Sequence, residues 1–276
     1  MGEKILDKAE VGRERVEVVE MDALLGGANP AIASTLFYMH QTGLRARFAR
    51  FHLAGGSAVL EPGALHRMVG KLEMQTSSGG GIGAMLGRAV LSGETAFLNS
   101  VSGTGTVVLE PTFGHLVLFE LEGEDSAVVV DKGMFVAGLG RITVKAAAQK
   151  NVSSALFGGE GFFQSKVTGR GIAVFHAPVP MDELEIHHLA AGETLQVDGN
   201  FALLRSHTVQ FSVEKSSRSW AATAVSGEGL LQTFKGPGQV WLAPTQDLYE
   251  RLETAEGIAS LHMPPGRRNT KTRDGR

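Results

Sequence analysis

Three stretches of this chain repeat one pattern, and self-similarity at fixed spacing restricts a fold more than any local motif does. Gly93-Glu94-Thr95-Ala96, Gly159-Glu160-Gly161-Phe162 and Gly227-Glu228-Gly229-Leu230 each set Gly-Glu before small or apolar residues. Each is followed by a strand-like run and a Gly-x-Gly that reads as a turn: Gly103-Thr104-Gly105, Gly169-Arg170-Gly171 and Gly236-Pro237-Gly238. An apolar run closed by proline comes next, ending at Pro111, Pro178 and Pro244. A second set of segments interleaves with the first and lines up at Leu53, Leu121 and Leu189, with 68 residues from each leucine to the next.

The runs between these markers are short and apolar, and glycines cluster between them, 36 in all. Tight turns joining short strands explain that distribution. Leu116–Leu121, Ala127–Val130, Arg141–Lys145 and Val209–Glu214 read as separate strands. The expected fold is all-β: three tandem repeats of a short sandwich or double-stranded β-helix unit in a pseudo-threefold arrangement. Short helices are expected in the connections, at 82–90, 153–157 and 219–225.

Residues 1–48 read as a lead segment packing on the body, with Arg15–Glu20 as a strand. Asn29-Pro30 could cap a helix. The alignment of Gly43 with Gly103 instead makes Leu36–Gln41 a decayed strand, and that reading is preferred. Residues 49–246 form the three-repeat body as a single domain. Residues 247–262 read as a C-terminal helix with Leu248, Leu252 and Ile258 as its apolar contacts, and 263–276 as a disordered basic tail.

Bulk properties narrow the function. A net charge of −3 provides no general attraction to nucleic acid. The absence of cysteine excludes disulfides, thiolate metal sites and Cys nucleophiles. No apolar stretch approaches the ~18 residues of a spanning helix. The start of the chain mixes charges and lacks the apolar core of a secretion signal. The expected location is the cytoplasm, with peripheral membrane attachment as a variant.

Leu91-Ser92-Gly93-Glu94, Leu156-Phe157-Gly158-Gly159-Glu160-Gly161-Phe162-Phe163 and Gly236-Pro237-Gly238-Gln239-Val240-Trp241-Leu242 resemble the altered-inheritance-of-mitochondria protein 24 family. The glycine stretch Gly79-Gly80-Gly81-Ile82-Gly83 fits as well, and the resemblance spans about residues 50–244. It implies three units like the tryptophan RNA-binding attenuation protein, a shortened double-stranded β-helix. It also implies a bacterial protein of poorly defined role, related to a fungal mitochondrial inner-membrane protein. No catalytic residues carry over from the family.

Three groups of residues are candidates for binding. Glu94, Glu160 and Glu228 are the acids kept in all three repeats, and three carboxylates about an axis could hold a cation. Their repetition favours a structural role, in which each accepts N–H bonds from its own turn. Gly79, Gly80 and Gly81, with Arg88 beyond, invite a phosphate-loop reading, but the Lys-Ser/Thr of a Walker loop is missing. His187 and His188 are adjacent, so on a strand they face opposite sides and cannot share a metal. No Gly-x-Ser-x-Gly elbow is present.

The expected function is therefore a non-catalytic scaffold with no cofactor. Its partner would be an unidentified protein or a membrane surface, and the chain would be a monomer or a small homo-oligomer. Nucleic-acid binding by fold analogy and a cupin-like metalloenzyme are the rivals.

Overall fold

A computed structural model of the 276-residue chain describes residues 2–76, 98–131, 133–147, 164–198, 202–215 and 230–264. Strands dominate them. By contact they divide into two compact units, one up to Met181 and the other from Asp182 onward.

The first unit opens with a hairpin, β1 (Glu3–Val11) and β2 (Glu14–Met21), turned at Gly12. The expected strand at Arg15–Glu20 lies inside β2. Helix α1 (Pro30–Thr42) follows, where Leu36–Gln41 was expected to be a strand. Its ends explain the difference. The Asn29 side chain accepts the Ile32 N–H at 3.0 Å, Pro30 begins the helix, and Gly43 closes it at φ 72°. Leu36–Gln41 also contains no β-branched residue to resist a helix. Gly43 thus caps a helix and has no role like that of Gly103. No residue of α1 is buried.

Six long strands complete this unit: β3 (Arg47–Leu60), β4 (Leu65–Thr76), β5 (Asn99–Leu109), β6 (His115–Asp131), β7 (Phe135–Ala147) and β8 (Gln164–Ala177). They form two sets of three with the same pairing. β5 lies between β3 and β4, and β8 lies between β6 and β7, all antiparallel. β3 joins the parts. One end pairs with β2, through Arg47–His52, and the other with β7, through Ala58–Leu60.

The two segments read as separate strands, Leu116–Leu121 and Ala127–Val130, belong to β6 alone. Its register on β8 shifts between Gly123 and Val128, and that of β3 on β5 shifts between Ala54 and Ser57. A bulge of this kind reverses the faces of a strand. The core follows the reversal. In β3 it takes Ala49, Phe51 and Leu53, then Ala58 and Leu60. In β6 Val117 and Leu121 are buried before the shift, and the whole run Ala127–Val130 is buried after it. Val16, Val101, Val107, Leu109, Leu139 and Val174 are among the residues closing the same core.

The Gly-x-Gly segments at 103–105 and 169–171 are not turns. Both lie inside strands, β5 and β8. Gly105 faces Gly70 across the ladder, and Gly171 faces Gly140. Gly103 and Gly169 have φ of 124° and 133°, and a Cβ on either would collide with a carbonyl of the neighbouring strand, Lys71 O or Arg141 O. These glycines let the strands bend while staying paired. Sequence alone does not distinguish a bent strand from a turn, since both need glycine at positive φ. Only the third copy is a turn, with Gly236-Pro237 linked by a cis peptide.

The second unit has shorter strands: β9 (Glu185–Leu189), β10 (Thr194–Asp198), β11 (Ala202–Ser206), β12 (Gln210–Lys215), β13 (Leu230–Lys235) and β14 (Gly238–Leu242). β13 lies between β10 and β12, and β14 between β9 and β11. The last strands are again central. Leu189, Val209, Phe211, Phe234, Val240 and Leu242 form much of the core. The expected C-terminal helix is two helices, α2 (Gln246–Leu252) and α3 (Ala255–Leu261). Thr254 adopts an extended conformation between them and caps Gly257 N–H at 3.0 Å, so one helix cannot continue through it. Leu248, Leu252 and Ile258 are exposed. The helices expected at 82–90, 153–157 and 219–225, and the tail from 265, lie outside the described residues.

The glycine contacts set a graded test by urea unfolding. Gly169→Ala is expected to lose about 3 kcal/mol, from strain and the clash with Arg141 O. Gly12→Ala, at φ 63° but with open space around it, should lose only about 1 kcal/mol.

Candidate functional site

Glu17 is the most buried charged residue described, at 2% exposure. It belongs to a run of charged pairs between β2 and β3, where Arg15 pairs with His52, Glu17 with Arg50 and, on the other face, Glu20 with Arg47. Cross-strand neighbours of opposite charge support each other. The Arg50 Nε donates to Glu17 Oε2 at 2.9 Å, and His52 Nε2 lies 3.2 Å from the same oxygen. The Arg15 Nε sits 2.9 Å from Oε1, close enough to attract but out of line for a hydrogen bond. Arg50 also donates to Glu3 of β1 at 2.6 Å, so its one side chain ties three strands together.

These contacts decide the ionisation of Glu17. Burial alone pushes its carboxyl up, but bonds from Arg50 and His52 and the charges of Arg15 and Arg50 outweigh it. The carboxyl is held below its ordinary value of 4.5. Burial likewise pushes Arg50 down, while Glu3 and Glu17 together raise it. A carboxylate fixed in its charged form by two arginines and a bond from His52 is a poor general base, because it gains little by taking a proton.

Glu14, at the hairpin, serves the backbone. Its carboxylate accepts the Ala54 N–H at 2.7 Å, beside the bulge of β3. Glu122 and Ala190 stand where Ala54 stands, each just after the repeated leucine. Their N–H groups are also held by side chains, Ser126 Oγ at 2.7 Å and Glu193 Oε2 at 2.9 Å. Three different residues therefore satisfy one recurring backbone donor.

Two depressions border the hairpin. One, of about 240 Å³, is lined by Glu10, Gly12, Arg13, Glu14, Arg15 and His52. The other, of about 460 Å³, has Glu10, Glu120, Glu122 and Arg170 on its walls. Small-molecule sites are mostly apolar with a few converging polar groups. These are shallow and lined by both signs of charge, which suits a polar surface contact. Among the described residues no three His, Asp or Glu side chains are placed to hold a metal ion. His187 and His188 occupy successive positions of β9, and His187 Nε2 lies 3.3 Å from Glu185. Among the described residues no helix is long and apolar enough to cross a membrane.

The residues singled out from the sequence, Glu94, Glu160, Glu228, Gly79, Gly80, Gly81 and Arg88, all lie outside the described residues. The charged network was missed. Its signal is the alternation of Arg15-x-Glu17 and Arg50-x-His52 along two strands that helix α1 separates in the chain.

The model of the mitochondrial biogenesis AIM24 family matches residues 39–245. The chain belongs to this family. The match takes in β3 to β14, hence the two strand sets of the first unit and the whole strand core of the second. No curated protein matches the chain. Among solved structures, it is similar to protein SPYM3_0169 from Streptococcus pyogenes, at 23% identity and a TM-score of 0.55. That similarity covers 75% of this chain and 94% of the other, and it concerns the fold.

Two measurements check the site. Glu17→Gln should lower stability by about 3 kcal/mol at neutral pH, since it strands cations beside a buried neutral group. The folded carboxyl is depressed, so its contribution is complete above the unfolded value near 4.5 and fades as pH falls through the lower folded value. The gap between wild type and Glu17→Gln should therefore shrink in acid, read by urea titration at several pH values. Glu14→Ala should lose about 1–2 kcal/mol, and Glu14→Gln, which keeps an acceptor for Ala54 N–H, distinctly less.

Proposed function

We propose that this member of the family is a non-catalytic binding scaffold made of three copies of one three-strand unit in a pseudo-threefold arrangement. β3, β4 and β5 make the first copy and β6, β7 and β8 the second. β9 to β14 make the third, with each long strand broken in two. The recurring backbone donor after Leu53, Leu121 and Leu189 is the observation that carries this reading. Supporting it are the central last strand of each set and the facing glycines of the first two.

The same observation supports a role without chemistry. Glu14 and Glu193 are occupied by backbone donors, and Glu3 and Glu17 by Arg50, which leaves these four acids poorly placed for proton transfer. The surface around the hairpin is then a polar contact face for another protein or a membrane surface.

Cross-linking in the native cell, followed by binding of the purified partner to the purified chain, tests the proposal. Direct binding that weakens on charge reversal of Arg13 or Arg170 is the expected result. Turnover of a substrate that one point substitution abolishes would overturn it, as would stoichiometric iron, manganese or zinc in the purified protein. Tight, salt-sensitive RNA binding without the basic tail would redirect it to nucleic acid.

A further inference from the structure

Past the residues that pair with β3, the strands β7 and β8 carry one pattern in opposite directions: Arg141-x-Thr143-x-Lys145 and Lys166-x-Thr168-x-Arg170. Their register sets like against like. Arg141 faces Arg170, Thr143 faces Thr168 and Lys145 faces Lys166. Residues paired across a ladder point to the same side, and Ile142, Val144 and Val167 take the buried side. The six residues therefore share the outer face, with Arg141, Lys145 and Arg170 exposed.

Like charges directly opposite weaken a ladder, and two such pairs stand in this one. The architecture does not require them. Gly70 faces Gly105 as Gly140 faces Gly171, so the same six places in the first strand set hold Lys71, Glu73, Gln75, Ser100, Ser102 and Thr104. One cation and one acid stand there in place of four cations. A chain with a net charge of −3 has no general excess of base to place here either.

Among the described residues only one of the four cations is neutralised by a carboxylate. Glu124, at the bulge of β6 where the first set has Gly56, accepts the Lys166 ammonium on Oε1 and the Thr168 hydroxyl, at 2.8 Å, on Oε2. Arg170 faces Glu122 across the ladder but bonds its main-chain oxygen, at 3.5 Å. The side chains of Arg141 and Lys145 have no hydrogen bond or ion pair among the described residues.

The chain's own carboxylate thus shows how this face holds an anion, with an ammonium and a hydroxyl on its two oxygens. Thr143 brings a second hydroxyl beside the first. Arg141 and Lys145 stand two places to either side of Thr143, roughly 7 Å away along the strand, and both side chains are long enough to lean over it. A tetrahedral anion above the threonine pair meets two hydroxyl donors and four cations. We propose that this face binds the dianion of a phosphate monoester, and that Glu124 holds part of the site until the phosphate displaces it. A phosphate has the charge and the oxygens to engage more of these donors at once than a carboxylate does. Glu124 gives way easily, since its side chain is 64% exposed and an exposed ion pair adds little stability. None of the six residues is aromatic, so the bases of a nucleic acid find no stacking platform here. The inference goes beyond the scaffold reading and needs only the first unit.

Nuclear magnetic resonance of the full chain, titrated with inorganic phosphate at low salt, reads the site directly. The amide signals of residues 141–145 and 166–170 should move together and saturate at about millimolar phosphate. Arg141→Gln and Lys145→Gln, both on the exposed face, should each weaken binding about threefold to fivefold. Glu124→Gln should tighten it about threefold, because the competing carboxylate is gone. Arg13→Glu, which the scaffold reading expects to weaken partner binding, should leave the phosphate titration unchanged. Sedimentation with vesicles of phosphatidylcholine, with and without phosphatidic acid, separates the two sources of the phosphate. Binding only to the vesicles with phosphatidic acid assigns a lipid headgroup, and binding of inorganic phosphate without either vesicle assigns a free phosphate compound. Shifts that fail to saturate by tens of millimolar phosphate would overturn the proposal, and so would Glu124→Gln binding no tighter than the unaltered chain.

Discussion

A backbone N–H that loses its ladder partner is the constraint on which this fold turns. The register of β3 and of β6 shifts just after the repeated leucine, and in the third set β9 ends at that leucine. The donor at that step is taken up by a side chain in each case, so no backbone N–H is left without a partner there. Glu14, Ser126 and Glu193 do this for Ala54, Glu122 and Ala190. They come from a different strand, from four residues downstream and from three residues downstream. The requirement recurs while the residue that meets it is free to vary.

The charged cluster on β2 and β3 follows from the same strand. β3 carries Phe51 and Leu53 into the core, so Arg50 and His52 must point outward. Opposite them β2 carries Glu17 and Arg15. With Glu3 reaching Arg50 from β1, the cluster fastens the hairpin to the sheet. Most of its value is the avoidance of an uncompensated buried charge, as is general for enclosed ion pairs.

Legibility from sequence differed by element. The alternating pattern in Arg141–Lys145 marked its strand directly, because period-two burial leaves a local trace, whereas Val16 to Val19 of β2 are buried in succession. Asn29, Pro30 and Gly43 marked both ends of α1, yet the repeat alignment pointed to a strand there, and local capping prevailed. The two Gly-x-Gly segments looked like turns because positive φ is common to turns and to sharply bent strands. Thr254 looked like an ordinary helical residue, since its capping role depends on the conformation it takes.

By itself the sequence determined the β class, the repeat spacing, the family and the places where the chain must bend, since glycine and apolar periodicity are local consequences of backbone geometry. The tertiary structure decided which bends are turns and which are bulges. It also decided which donor each acid satisfies and which charges surround Glu17. Those depend on strands that meet from distant parts of the chain, such as Glu14 with Ala54 and Glu3 with Arg50. Register sets such meetings, and register comes from packing of the whole sheet rather than from any one segment.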